Sequence, residues 1–324
     1  MIDKEWTACG FSRNSTFHFP HSEERVINLS LNTKEIVSEL FGNCLQMNDE
    51  NTEVLVTLDY GPRIVSIHTN NGRELIYQAP DAAIGRPHGH KMRITFEKST
   101  NGIYCDHAPV RYSPMTEGVR FVQSVTEPAQ MEVIMDVCLT ENGSLTVEHS
   151  IINRSKDPVK VSIYTETPFT RDGFVVIPQG NAASSERPGK IMTLWDGCSW
   201  SDERLFIGDR YVMVRSLDEA GKPRLKIGVN DTDGIVGFIG SKGCLIKQYT
   251  HNRNALYPFY NCSAFATENN GWLSIQMTSP FYLVEPEEAA RHTEIWHPCE
   301  AADSAVFHDE ESVRVFLEQY MQGK

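Results

Sequence analysis

Short runs in which apolar and polar residues alternate recur along most of this chain. "EVLVTL" (53–58), "RIVSI" (63–67), "ELIYQ" (74–78), "VRFVQSV" (119–125) and "MEVIMDVCL" (131–139) are the first of them. "LTVEHSII" (145–152), "VKVSIYT" (159–165), "FVVIP" (174–178), "RYVMVRS" (210–216) and "RLKIGV" (224–229) follow, and "IVGFIG", "CLIKQY", "WLSIQM" and "FYLV" come later. All are rich in β-branched and aromatic residues and are bounded by Gly, Pro, Asn or Asp, the pattern of β-strands. "TENGS" (140–144) and "TNNGR" (69–73) place Asn-Gly between strands, a hairpin signal.

Helical periodicity is confined to two places. "TKEIVSELFGN" sets Ile36, Val37, Leu40 and Phe41 at helical spacing, with Thr33 as a cap and Gly42 as a stop. "DEESVRVFLEQYMQGK" sets Val313, Phe316, Leu317 and Tyr320 on one stripe, capped by Asp309 and ended by Gly323. This second helix, over 309–322, is expected on the outside of the sheets. Fixed-period repeats, low-complexity tracts and Pro/Ser linkers are absent. The expectation is an all-β fold, one large domain over 1–324, with 1–50 an N-terminal extension.

The strand period also sorts side chains onto faces. Leu145, Val147 and Ile151 share one face of their strand, and His149 falls among them. Such a histidine is either a hydrogen-bonded core residue or the edge of a ligand pocket. In the next strand Val159, Val161, Ile163 and Thr165 face one way, and Lys160, Ser162, Tyr164 and Glu166 the other. The second row is either solvated or the floor of a cleft suited to polyols. In "GWLSIQMTSPFY", Trp272, Ser274 and Gln276 alternate against Leu273, Ile275 and Met277, and an indole beside small polar groups suits a pyranose ring.

The formal charge of -13 argues against nucleic acid or an anionic membrane as a partner, because both require a basic footprint. A neutral ligand is compatible with it, as is a phosphorylated one held by a local Arg/Lys cluster such as Arg63, Arg86 and Arg93. The first twenty residues hold no apolar core of a signal peptide, and the eight scattered cysteines form no CxxC pair. The expectation is a cytoplasmic protein with reduced thiols. Phosphate-binding glycine loops, nucleophile elbows and HExxH are all missing. His88 and His90, with His107 beyond, are the one metal-like spacing, and H-x-H alone is a common chance pair, so no metal and no cofactor is expected.

Several segments together resemble the galactose mutarotase-like superfamily, which includes the aldose 1-epimerases, and in particular a bacterial branch of it. "LDYGPRIVSIHTNNGRELIY" is similar to that branch's early hairpin. "GHKMRITFE" (89–97) resembles a Gly-His-Arg-Leu-Trp-x-x-Pro-Glu segment through Gly89, His90 and Glu97, with Lys91 in place of the Arg and Arg93 in place of the Trp. "LTVEHSIINRSKDPVKVSIYTETPFTRDGFVVIPQG" resembles the central signature, and the segment from Tyr257 to Trp296 the closing one. The likeness covers about residues 50–298.

The resemblance implies a β-supersandwich, two large antiparallel sheets face to face, with a sugar cleft on a concave side. It implies a carbohydrate ligand and ring opening by a glutamate base and a histidine acid. The histidine's strand looks like "VKVSIYTETPF", where the nearest residue is Tyr164. The glutamate's strand looks like "WLSIQMTSP", where Ser274 and Gln276 take the polar face. The acid and base of an epimerase-like isomerase are then sought among His90, Glu97, His149, Tyr164 and Glu166, with Arg63, Lys91, Arg93, Trp272 and Gln276 contacting the sugar. His90, following Gly89, is expected to line the cleft. The alternatives are a carbohydrate-binding protein without turnover on the same scaffold, and the sandwich domain of a polysaccharide lyase or hydrolase.

Overall fold

The alternating runs become strands of antiparallel sheets that bury their apolar sides against one another. The computed structural model describes residues 31–69, 73–81, 86–97, 103–104, 106–127, 129–140, 142–180, 189–217, 221–302 and 304–321. Among these, the largest sheet has ten strands. Its centre runs Gly173–Pro178, Ile235–Gly240, Gly243–Tyr249, Ala289–Cys299, Leu145–Asn153 and Met131–Leu139. A second sheet of eight strands is centred on Val159–Thr170, which lies between Trp272–Thr278 and Lys91–Phe96. Ala264–Asn269 and Leu225–Val229 continue it on the Trp272–Thr278 side.

One apolar interior joins the two. Val137, Leu145 and Val147 from the larger sheet share it with Phe169, Leu273, Ile275 and Ile227 from the smaller one. Phe169 and Phe238 stack across the gap with ring centroids 4.4 Å apart and planes within 5°. The hairpin signal at 140–144 holds: the Thr140 amide bonds Ser144 O, and Gly143 takes a φ of +77° between Met131–Leu139 and Leu145–Asn153. The second Asn-Gly, at 71–72, lies outside the described residues.

The C-terminal helix, Glu310–Met321, packs on the outer face of the ten-stranded sheet. Val313, Phe316 and Leu317 cover Val176, Met213, Ile235 and Ile246. Asp309 Oδ1 accepts from the amides of Glu311 and Ser312, satisfying two donors that the first turn leaves open. Gly323, the expected stop, lies outside the described residues.

The helix expected over 33–42 is instead a β-hairpin. Asn32–Ser38 pairs antiparallel with Gly42–Asn48, Ser38 opposite Gly42. The reversal needs a left-handed residue, which Gly42 supplies at φ +77°, and Ser38 Oγ accepts from the amides of Leu40 and Phe41. Of the supposed helical stripe, Phe41 packs with Cys44, Leu55 and Val65, while Val37 is 81% exposed. Pairing with Thr52–Thr57 overrode the local period. Residues 32–48 are thus half of a four-stranded sheet completed by Thr52–Thr57 and Ile64–Thr69, and 1–30 lie outside the described residues.

Candidate functional site

The two faces of Val159–Thr170 build two different polar assemblies. Val161, Ile163, Thr165, Thr167 and Phe169 point between the sheets, and Ser162, Tyr164 and Glu166 point to the outer side of the eight-stranded sheet. Register then fixes their neighbours. Tyr164 lies opposite Arg93, and Glu166 lies between Lys91 on one side and Gln276 on the other. One strand further on, Thr267 lies between Ser274 and Lys226.

These outer side chains form a hydrogen-bonded chain across three strands. Lys226 Nζ donates to Tyr164 Oη at 2.8 Å, and the Tyr164 hydroxyl donates to Gln276 Oε1 at 2.7 Å. Gln276 Nε2 donates to Glu166 Oε1 at 3.0 Å and to Ser274 Oγ at 2.7 Å. Lys91 Nζ lies 3.7 Å from Glu166 Oε2, and the Arg93 guanidinium stacks 3.9 Å from the Tyr164 ring centroid. Burial, with the nearby Arg93 charge, brings the Lys226 ammonium down to about 7. Its Nζ also sits 4.6 Å from the Trp195 ring centroid.

A cavity of about 500 Å³ opens beside this floor, lined by Thr95, Phe96, Glu97, Trp195, Phe259 and Phe281. Its rim is strained. Phe259, Tyr260 and Asn261 are consecutive left-handed residues, with φ of 54°, 61° and 65°. Such backbone costs roughly 1–3 kcal/mol per residue and concentrates at functional sites. It sets Phe259 edge-on to Tyr164 and leaves Tyr260 84% exposed.

The second assembly is sealed between the sheets. His149 and His292 are cross-strand partners, and Glu294 follows His292 on the same face. His90, which immediately precedes Lys91–Phe96 of the other sheet, places Nε2 3.0 Å from His149 Nε2 and Nδ1 2.8 Å from Thr167 Oγ1. Glu294 Oε2 accepts from Lys247 Nζ at 2.9 Å and Trp296 Nε1 at 2.7 Å, and Oε1 accepts from Thr165 Oγ1 at 2.6 Å. Lys247 also donates to Thr167 Oγ1. Burial drives all three histidines towards the neutral form, His149 down to about 4. It would raise Glu294, but the Lys247 ammonium instead holds that carboxylate well below the usual range. Lys247 itself comes down to about 8 through burial.

Neither a protein-family model nor a curated protein matches the sequence. Solved structures do match its fold. A galactose mutarotase related enzyme from Lactobacillus acidophilus superposes over 80% of this chain and 98% of its own, with a TM-score of 0.52 at 12% identity. A galactose mutarotase-like protein from Clostridium acetobutylicum superposes over 84% and 99%, with a TM-score of 0.51 at 10% identity. The fold is galactose mutarotase-like. A galactose mutarotase-like protein from Lactobacillus casei, with a TM-score of 0.51 at 8% identity over 79% of this chain and 99% of its own, shares it.

On this mutarotase-like frame the residues singled out from the sequence separate. Lys91, Arg93, Tyr164, Glu166 and Gln276 converge on the outer floor. Trp272 stands on the same face near its edge, against His88 at 4.8 Å and Tyr77 at 6.4 Å between centroids. Glu97 reaches the cavity wall and is paired with Lys160. Arg63 is fully buried and ion-paired with Asp106, so with Arg93 stacked on Tyr164 these two arginines do not form one anion site. The Arg86 side chain lies outside the described residues. His90 does not line the outer floor. It is fully buried with His149 on the inner side, because Ile64 and His90 form a bridge and both turn inward. His107 is exposed.

Lys226, Trp195, Lys247, His292 and Glu294 are not among the site residues expected from the sequence. A signal existed for the lysines: Lys226 sits between Leu225 and Ile227 in "RLKIGV", and Lys247 follows Leu245 and Ile246 in "CLIKQY". A lysine there must find a partner when the strand is buried.

Proposed function

We propose that this protein binds a carbohydrate on the outer floor of the eight-stranded sheet and interconverts its anomers by general acid–base chemistry, as an epimerase-like isomerase. The observation that supports this is the chain Lys226–Tyr164–Gln276–Glu166. Ring opening needs one group to take the anomeric hydroxyl proton and another to protonate the ring oxygen. Glu166 is the base of this reading, and Tyr164, backed by Lys226, is the acid. The resemblance puts a glutamate on the strand whose polar face carries Ser274 and Gln276, and Glu166 is the direct cross-strand partner of Gln276. The carboxylate is therefore displaced by one strand spacing, about 4.8 Å, with the same outlook. Trp195 and Trp272 are the stacking surfaces for the sugar's C–H face. The same reading puts the protein in the cytoplasm.

A second reading, sugar binding without turnover, draws on the fact that both Glu166 oxygens and the Tyr164 hydroxyl already have partners within the floor. One sequence of experiments separates the two. A thermal-shift screen with free monosaccharides, sugar phosphates and uronic acids should find a ligand that raises the melting temperature by linkage. Polarimetry of that ligand's anomers should then show interconversion that is lost in Glu166→Gln. A ligand shift without interconversion selects the binding reading. Rapid interconversion that survives both Glu166→Gln and Tyr164→Phe would remove the floor as the site.

A further inference from the structure

We infer that His90, His149, His292 and Glu294 form a metal-binding site for a divalent first-row cation of zinc type, which clamps the two sheets together. The donor atoms converge from both layers. His90 Nε2 lies 3.0 Å from His149 Nε2, and Glu294 Oε1 lies 3.8 Å from His149 Nε2 and 3.6 Å from His292 Nε2. The donor atoms of His90, His149 and Glu294 all fall within 4.8 Å of one another. A tetrahedral ion bound at about 2.0–2.1 Å holds its donors roughly 3.3 Å apart, and imidazole with carboxylate is a donor set such an ion takes.

Hydrogen bonding alone leaves this cluster incomplete. Two facing imidazole nitrogens can share one proton, which satisfies His90 and one nitrogen of His149. His292 Nε2 is buried, points towards Glu294 Oε1, and makes no hydrogen bond among the described residues. A cation gives it a partner. The surroundings already orient the ligands. Thr167 holds the far nitrogen of His90, as outer partners of metal-bound histidines do. Lys247 and Trp296 hold Glu294 Oε2, so Oε1, which also accepts from Thr165, is the oxygen turned to the histidines. Lys247 and the ion thus share one carboxylate, an oxygen each. All four ligands are buried, so the ion's role is to join the layers, and it is acquired as they close.

The test uses the whole chain, purified without metal-affinity steps or chelators. Elemental analysis should find about one equivalent of zinc or a similar ion per chain. Protein unfolded with chelator and refolded with cobalt(II) should gain visible ligand-field absorption, which His292→Gln and His149→Gln lose. Elemental analysis of the wild type needs no variant, so a variant that fails to fold does not spare the inference. A metal-free wild type that also refolds without retaining cobalt overturns it. So does a cobalt spectrum unchanged in folded His292→Gln and His149→Gln.

Discussion

Lys226 Nζ lies 2.8 Å from Tyr164 Oη, and the same Tyr164 hydroxyl lies 2.7 Å from Gln276 Oε1. A buried amine and a buried amide are therefore joined through one phenol. Burial brings Lys226 down to about 7 from its ordinary value of about 10.5. Between these values the unfolded chain holds a proton that the folded chain has released, so this group's contribution to stability rises with pH across that window. Below about 7 the folded state must carry the buried charge. Lys226→Met removes the effect. Urea unfolding at pH 6 and pH 9 should show the variant gaining on the wild type at the lower pH, by a difference on the order of 2 kcal/mol. A difference independent of pH would mean that Lys226 titrates normally.

Tyr164→Phe keeps the ring under Arg93 and deletes the hydroxyl between Lys226 and Gln276. Stranding buried polar groups in this way should cost about 1–3 kcal/mol in chemical denaturation. It should also weaken whichever sugar the thermal-shift screen identifies. Unchanged stability would show that water takes the place of the hydroxyl for those groups.

Glu166→Gln tests the base directly. Its side chain is partly open to solvent, so stability should change little, whereas the rate of anomer interconversion should fall about 10²–10⁴-fold, the usual worth of a positioned acid or base. A full-rate variant would exclude Glu166 from the chemistry.

The outer helix gives a contrast within one element. Leu317 is fully buried against the ten-stranded sheet, and Val315 is 51% exposed. Leu317→Ala should cost about 2–5 kcal/mol through lost burial and the cavity left behind. Val315→Ala should stay within roughly 0.5 kcal/mol. Equal effects would mean that the helix docks differently.

The six described cysteines are free thiols, and Cys244 and Cys299 face each other across paired strands. Cys9 and Cys105 lie outside the described residues. All eight should react with a thiol reagent after denaturation without reductant. Two that stay protected until dithiothreitol is added would reveal a bridge, with the facing pair the first to examine.

Alternation along each strand determined most of what this chain reveals by itself. A period of two assigns a face without knowledge of any partner, so the apolar side of Leu145–Asn153 and the Tyr164–Glu166 side of the next strand were legible residue by residue. The capped C-terminal helix was legible for a similar reason, because its stripe and its Asp309 cap are local. The segment 33–42 was not: its spacing suits a helix, and only pairing with Thr52–Thr57 through Gly42–Asn48 made it a hairpin. Tertiary structure alone also decided the companions of each polar residue. His90 carries the same local motif whichever way it turns, and the bridge to Ile64 turned it inward to meet His149, some sixty positions away in the chain. Lys226 meets Tyr164 only because their strands, distant in sequence, lie in one sheet with two strands between them, and Lys247 meets Glu294 only because Gly243–Tyr249 pairs with Ala289–Cys299. A strand's period states which way a side chain points, and the pairing of strands determines what it finds there.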